Sequence, residues 1–491
     1  MKKNKGIIEL LLLWFSQIFA SVLAFLTQLI LVRILDVKEY GAIATALNLV
    51  GIIAAFSGFG VGIYWLRIFG KEGYKAVRWL KTTLIISGIS IIISVVFLLV
   101  FTLVIDVALI TKETLIIFSS IIVSQGLATL AYAVYQLEGA YNKVSLYQFL
   151  NYALRFLVVI LAWIFGFTSL EFISYGYMIT ALILVVCFIP VVSRFYKGNI
   201  ILVGHTQENI KQDYKSNKSV SYSETLKNLW PFGLAGIFYV IYHQSSVFLL
   251  TTLLDEESAA IYNVAFTFLT FIYLFPSALY QGFLLPKIHR WSEKDPSKVI
   301  DVYDFGGKFI LLFGLFIMFI TNVSAIWFIP LFFGKSYTAA SYILMILSFS
   351  IPLRLVGNNL ASILVTEDNM VKKIYYQGIG SVFNVVVNII FIKSYGVYGA
   401  AITSILTEML VTILFFIGVK KYNLIIRNSN IKNMKYYILI TLITILLGVF
   451  NTLMEVHNFY IISSITFLYI IVYLFILRIY FREIKAKRLF S

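Results

Sequence analysis

Lysine and arginine occupy every second gap between long apolar stretches, and this alternation constrains the chain more than any other feature. The stretches number about fourteen, each long enough to cross a hydrocarbon core of ~30 Å. Lys2, Lys3 and Lys5 precede the first stretch. Further basic residues then fall at Arg67 to Lys81, at Lys143, at Arg194 to Lys227, at Lys287 to Lys308, at Lys372 and Lys373, at Lys420 to Lys435, and at Arg478 to Arg488. The intervening gaps hold only Arg33, Lys38, Lys112, Lys335 and Lys393, while Arg155 and Arg354 lie inside apolar stretches. Because cytoplasmic loops carry the excess of Lys and Arg, the pattern predicts an even number of spans with both termini cytoplasmic. A miscounted stretch would scramble the alternation, so charge tests the topology independently of hydropathy.

A formal charge of +16 would fit nucleic-acid binding in a soluble chain. Here the basic residues flank apolar stretches, where they face water and anionic headgroups, and no nucleic-acid partner is expected. The only cysteine, Cys187, lies in an apolar stretch, which excludes an internal disulfide and a cysteine-based metal site. The stretch Ile7 to Leu35 is too long for a signal-peptide core and lacks a small-residue cleavage pattern, so it reads as an uncleaved first span.

The expected architecture is an all-α polytopic membrane protein, because a helix satisfies its own backbone polar groups in lipid. The spans are placed at 7–33, 41–66, 82–105, 114–136, 146–167, 170–193, 229–253, 260–283, 306–330, 338–363, 374–393, 397–419, 436–453 and 459–480. The longest connection, 194–228, is polar and divides the first six spans from the rest. Its two sides echo each other: LDVKEYGAIATAL (Leu35 to Leu47) turns the first span into the second, and LDEESAAIYNVAF (Leu254 to Phe266) turns the seventh into the eighth. Each places an Asp before small residues that open a helix, an N-cap pattern. A repeat of six spans keeps the same orientation in both copies, as in transporters built from parallel repeats. The expected units are thus a six-helix lobe at 1–193, the linker 194–228, a second six-helix lobe at 229–419, and two further helices with a basic tail at 420–491.

Four segments carry a family resemblance: RILDVKEYG (Arg33 to Gly41), FSGFGVGIYWLR (Phe56 to Arg67), LDEESAAIYN (Leu254 to Asn263) and SVFNVVVNIIFIKSYGVYGAAI (Ser381 to Ile402). With length and topology, they make the chain resemble the O-antigen and capsule flippases. These belong to the multidrug/oligosaccharidyl-lipid/polysaccharide exporter superfamily. The resemblance implies two six-helix lobes around a central cavity lined by the first, second, seventh and eighth helices. It implies a polyprenyl-pyrophosphate-linked oligosaccharide as substrate, with a polysaccharide polymerase and chain-length machinery as partners and the bacterial inner membrane as location. In the superfamily's lipid II flippases two extra C-terminal helices help form a groove for the lipid tail; spans 436–453 and 459–480 either play that part or pack as plain additions.

Ionisable groups within spans are functional candidates by default. Arg155 and Arg354 offer guanidinium groups, which bind phosphate oxygens bidentately. The competing reading for Arg354 is an ion pair with Glu408 that holds the second half together; Glu408 is equally a candidate for ion coupling. Arg33 and Arg67 end their helices on opposite sides, either at cavity mouths or as snorkelling interfacial cations. The seventh span carries Tyr239, Tyr242, His243, Gln244 and Ser246, the eighth Asn263 and Thr267, and the first two Gln28 and Asn48. Hydroxyl, amide and aromatic groups suit a sugar, which combines hydrogen-bonding edges with flat apolar faces. The alternative is ordinary hydrogen bonding between membrane helices. Gly58, Gly60 and Gly62 mark a place for bending or close packing in the second span.

No catalytic constellation, phosphate-binding glycine loop or metal-ligand set is present, so no enzyme activity and no cofactor are expected. An ion-coupled multidrug antiporter of the same superfamily is the nearest alternative, although deep arginines favour an anionic substrate. A membrane polysaccharide polymerase would be expected to carry a large outer loop, which this chain lacks.

Overall fold

The computed structural model describes residues 2–199, 201–203, 220–278, 306–364, 370–420, 434–454 and 459–486. Residues 200 and 204–219 of the expected linker 194–228, and the end of the expected span 260–283, lie outside them. The described residues are helical with short connections and contain no strand. Among the described residues, ten helices are long and apolar enough to cross a membrane, or eleven with one bent pair. Two of the ten, Val37–Val104 and Val371–Val419, each take in two of the stretches expected from sequence, because helix continues through the turn between them. Large apolar side chains such as Leu103 (77%) and Val104 (79%) are exposed, as a surface facing lipid tails requires.

The chain forms two compact units, Met1–Ala260 and Ile261–Ser491. The first contains α1 (Lys2–Ile34), α2 (Val37–Ser57), α3 (Val61–Glu72), α4 (Leu80–Val104), α5 (Leu109–Leu137), α6 (Tyr141–Phe165), α7 (Leu170–Tyr196) and α8 (Tyr222–Leu253). Helix α1 packs along α6, α5 along α7, and α2 between α5 and α8. Asp36 opens α2 as an N-cap: its side chain accepts from the Glu39 N–H, and Glu39 answers the Asp36 N–H in a capping box.

The second expected span breaks where its glycines crowd. Phe59 (φ 39°) and Gly60 (φ 72°) adopt left-handed backbone between α2 and α3, a conformation glycine enters without penalty. A methyl on Gly60 would strike the Phe232 backbone of α8, and one on Gly62 would lie 2.6 Å from the Thr129 carbonyl oxygen of α5. The glycines therefore serve both a bend and a close approach on two sides. Below the break, buried Trp65 donates to the Thr83 hydroxyl at 2.9 Å and packs against Phe195.

The boundary between units falls within α9 (Glu256–Ala278), which begins like α2: Asp255 accepts from the Ser258 N–H at 2.7 Å. The second unit continues with α10 (Gly307–Phe333), α11 (Ala339–Ser348), α12 (Ser350–Leu364), α13 (Met370–Lys420), α14 (Met434–Met454) and α15 (Phe459–Ala486). Helices α11 and α12 form one broken span bent by 41°, just before Pro352, whose ring cannot continue regular helical bonding. Gly396 (φ 58°) turns the chain inside α13, and a methyl on Gly399 would overlap the Phe391 carbonyl. The last two helices are packed by polar and aromatic contacts. Asn451 of α14 donates to the Asn322 carbonyl oxygen Oδ1 at 3.0 Å, and Tyr469 of α15 stacks on Phe319 with centroids 3.9 Å apart.

Candidate substrate site

Two arginines lie within the apolar spans, and their surroundings differ. Arg354 on α12 is 6% exposed and Glu408 on α13 is 8% exposed. Their Nη1 and Oε1 atoms are 2.6 Å apart, and the guanidinium lies 4.8 Å from the Tyr273 ring centroid. The Tyr273 hydroxyl in turn meets the Ser350 hydroxyl at 2.8 Å. This charge is satisfied inside the second unit, in the structural arrangement weighed from sequence.

Arg155 is the fifteenth residue of α6, ~15 Å from its far end at 1.5 Å per residue. Its guanidinium stands 5.4 Å from the Tyr177 ring centroid on α7. Its Nε is buried and donates to nothing. Among the described residues no carboxylate lies within ion-pair distance of it. A cation deep in a bilayer costs about 2.5–3.5 kcal/mol on insertion scales, and a cation–π contact returns about 0.5–2 kcal/mol. The remainder favours an anionic guest. The sequence marked Arg155 but gave no signal for Tyr177, since ring and guanidinium meet only once α6 and α7 are in register.

The polar residues of α8 divide between two faces. On one, Gln244 and Thr251 meet α2. A methyl on Gly51 would lie 2.6 Å from Gln244 Oε1, which has no hydrogen-bond partner, and the Thr251 and Thr45 hydroxyls share a short hydrogen bond. On the other, Tyr239 and Tyr242 meet edge to face at 5.6 Å, and His243 lies 5.7 Å from Tyr239. Tyr239 is 40% exposed, and Tyr242 and His243 are half-buried. Ser246 is buried. Gln244 belongs to the α2 contact, because the one-residue step from His243 rotates the helix by 100°.

The other sequence candidates take mixed positions. Gln28 accepts from the Tyr40 hydroxyl at 2.9 Å and ties α1 to α2. Asn48 donates to the Ala44 carbonyl of its own helix at 2.8 Å. Arg33 is exposed in the last turn of α1, and Arg67 is exposed with its guanidinium 5.5 Å from the Phe232 ring centroid. Asn263 is buried and Thr267 half-buried on α9. Sequence reasoning passed over a buried chain in the second unit, where Asn388 donates to Asn384 Oδ1 at 2.9 Å and Asn384 to the Thr407 hydroxyl at 3.0 Å. Among the described residues no group of three or more His, Cys, Asp or Glu side chains is placed to hold a metal ion.

Residues 9–291 match the family model described as "Polysaccharide biosynthesis protein". The chain belongs to that family. A search of curated protein sequences finds no match. Among solved structures, the chain is similar to the lipid II flippase MurJ in an inward closed conformation, with a TM-score of 0.67 and 15% identity over 96% of this chain and 99% of that one. It is also similar to an inward-facing multidrug resistance MATE family transporter of the MOP superfamily, with a TM-score of 0.61 and 16% identity over 83% and 96% of the two chains. A third similar structure is a MOP superfamily transporter from Pyrococcus furiosus whose binding pocket is described as of reverse polarity, with a TM-score of 0.61 and 15% identity over 84% and 95%. This member of the polysaccharide biosynthesis family thus has the fold shared by MurJ and the MATE transporters.

Proposed function

We propose that this family member translocates a polyprenyl-pyrophosphate-linked oligosaccharide repeat unit across the bacterial inner membrane for surface polysaccharide (O-antigen or capsule) biosynthesis. The substrate moves from the cytoplasmic to the outer leaflet by alternating access of two lobes, 1–193 and 229–419, with both termini cytoplasmic. One observation carries the choice of an anionic substrate: Arg155 is a membrane-embedded guanidinium with no carboxylate within ion-pair distance among the described residues, whereas Arg354 is neutralised by Glu408. Arg155 meets the pyrophosphate or an acidic sugar during passage. The aromatic face of Tyr239, Tyr242 and His243 offers flat surfaces and hydrogen-bonding edges to the glycan. A polymerase and chain-length machinery take the product on the far side.

The test is the transbilayer distribution of lipid-linked glycan in cells lacking the gene and in cells with it restored. Accumulation confined to the cytoplasmic leaflet, relieved on restoration, supports the reading. Normal outer-leaflet delivery overturns it. Sensitivity to cationic dyes without any glycan change would instead point to a multidrug antiporter.

A further inference from the structure

A cavity of about 350 Å³ opens in the first unit between the N-terminal turns of α5 and α7, at the end of these helices that carries few Lys or Arg residues. Its volume falls within the range of small-molecule sites. Ile110, Ile117 and Leu170 contribute apolar walls, and Glu113 and Glu171 contribute carboxylates. Both glutamates are exposed, and neither is engaged by a cation within ion-pair distance among the described residues, the neighbouring Lys112 included.

Acidic residues in the first turns of helices are by themselves favourable to the helix dipole. Ser174 adds an observation that dipoles do not explain. It lines the same cavity one turn deeper than Glu171 and is 1% exposed, yet its Oγ has no hydrogen-bond partner. A serine in a helix ordinarily bonds back to a carbonyl of the preceding turn, as Thr114 does in this cavity at 2.8 Å. Leaving a buried hydroxyl unmade costs about 1–3 kcal/mol.

We propose that this cavity binds an ammonium group carried on an apolar body, with Glu113 and Glu171 holding the cation and Ser174 accepting or donating a hydrogen bond below them. Two carboxylates set the sign of the guest. Two are too few for a calcium ion, which takes six to eight oxygens. The isoleucine walls, together with the half-exposed Tyr175 at the rim, select a guest that is itself partly apolar. Arg155 lies deeper in the same unit, over the ring of Tyr177, three residues beyond Ser174, so the cationic end of the guest belongs at the carboxylates. The ammonium comes either from an aminophospholipid headgroup or from a free amphiphilic amine. This site is separate from the Arg155 reading and does not depend on it.

The experiment uses the full-length protein in nanodiscs of phosphatidylethanolamine mixed with phosphatidylglycerol, followed by native mass spectrometry of retained lipid. Wild type is expected to retain phosphatidylethanolamine over phosphatidylglycerol, and E113Q/E171Q to lose at least tenfold of that preference. In a second arm, a fluorescent quaternary alkylammonium binds wild type in phosphatidylglycerol discs and loses affinity similarly in the variant. Preference in the first arm assigns the headgroup as source; binding in the second alone assigns a free amine. S174L, which fills the cavity without touching charge, is expected to abolish either signal with the thermal midpoint preserved. Equal retention of the two lipids with no dye binding overturns the proposal, as does a preference that survives both E113Q/E171Q and S174L.

Discussion

The contrast between the two membrane-embedded arginines gives the sharpest residue-scale expectations. Arg354 and Glu408 form a buried pair at 2.6 Å, and removing one partner leaves an uncompensated charge, at a cost of about 3–5 kcal/mol. R354M and E408Q are therefore expected to lower the unfolding midpoint in detergent markedly, while R354M/E408L recovers most of the loss because an apolar pair of similar volume needs no counter-charge. If the double variant is no better than the singles, the pair has a role beyond stability. Arg155 behaves oppositely. Only a cation–π contact of about 0.5–2 kcal/mol holds its charge, so R155A is expected to leave the midpoint within ~2 kcal/mol of wild type while cutting glycan delivery at least tenfold. R155K is expected to retain part of the activity, since lysine keeps the charge but loses the bidentate fork. Full delivery by a well-expressed R155A would remove the pyrophosphate role. Both arginines were legible in the sequence as charges out of place. The sequence also offered Glu408 as a partner for Arg354, but it could not choose between that pair and a phosphate, because contact across 54 positions depends on helix register.

Helix α2 is the element on which the first unit turns. It meets α8 through Thr45 against Thr251 and Gly51 against Gln244, its Gly41 meets the backbone of Glu256 at the start of α9, and Gly60 just past its end meets Phe232 of α8. The Glu256 carboxylate also accepts from the Thr111 hydroxyl at 2.8 Å and the Ala108 N–H at 3.1 Å. The sequence showed the glycines and the N-cap of each repeat-like turn, because those are local. It gave no sign of the partner helix, because close approach between distant segments leaves no periodic mark. G41V is expected to destabilise the unit by about 1–3 kcal/mol, the usual cost of overpacking, read as a lower thermal midpoint. A second test uses T45C/T251C in a C187S background. Hydroxyls this close place the two β-carbons in reach of a disulfide, so mild oxidation in native membranes is expected to cross-link the pair and stop glycan delivery, with recovery on reduction. Efficient cross-linking with undiminished delivery would mean that α2 and α8 do not need to part.

At the scale of the whole molecule, the alternation of basic gaps was the most informative signal, because it follows from how a chain is inserted rather than from how its helices later pack. It located the helical segments well; what it missed was continuity, since a 3-10 helix at Gly73–Trp79 carries α3 into α4 and α13 runs on past its kink at Gly396, without leaving the charge pattern any trace. The division between the compact units, at Ala260 and Ile261, falls inside α9, beyond the contact of α8 with α2, and no shift in composition marks it. The charge pattern nonetheless makes an orientation claim that no helix count can replace. Single cysteines introduced in C187S at Asp36, Gly166 and Leu254, in Lys/Arg-poor turns, are expected to react with a membrane-impermeant maleimide added to intact spheroplasts. Cysteines at Glu72, Asn142 and Lys197, in basic turns, are expected to react only after permeabilisation. The opposite pattern would invert the orientation and place the termini outside, where a cytoplasmic lipid-linked substrate would meet the first unit from its other end; a mixed pattern would mean that a span has been miscounted, and the position at which labelling changes side would identify it.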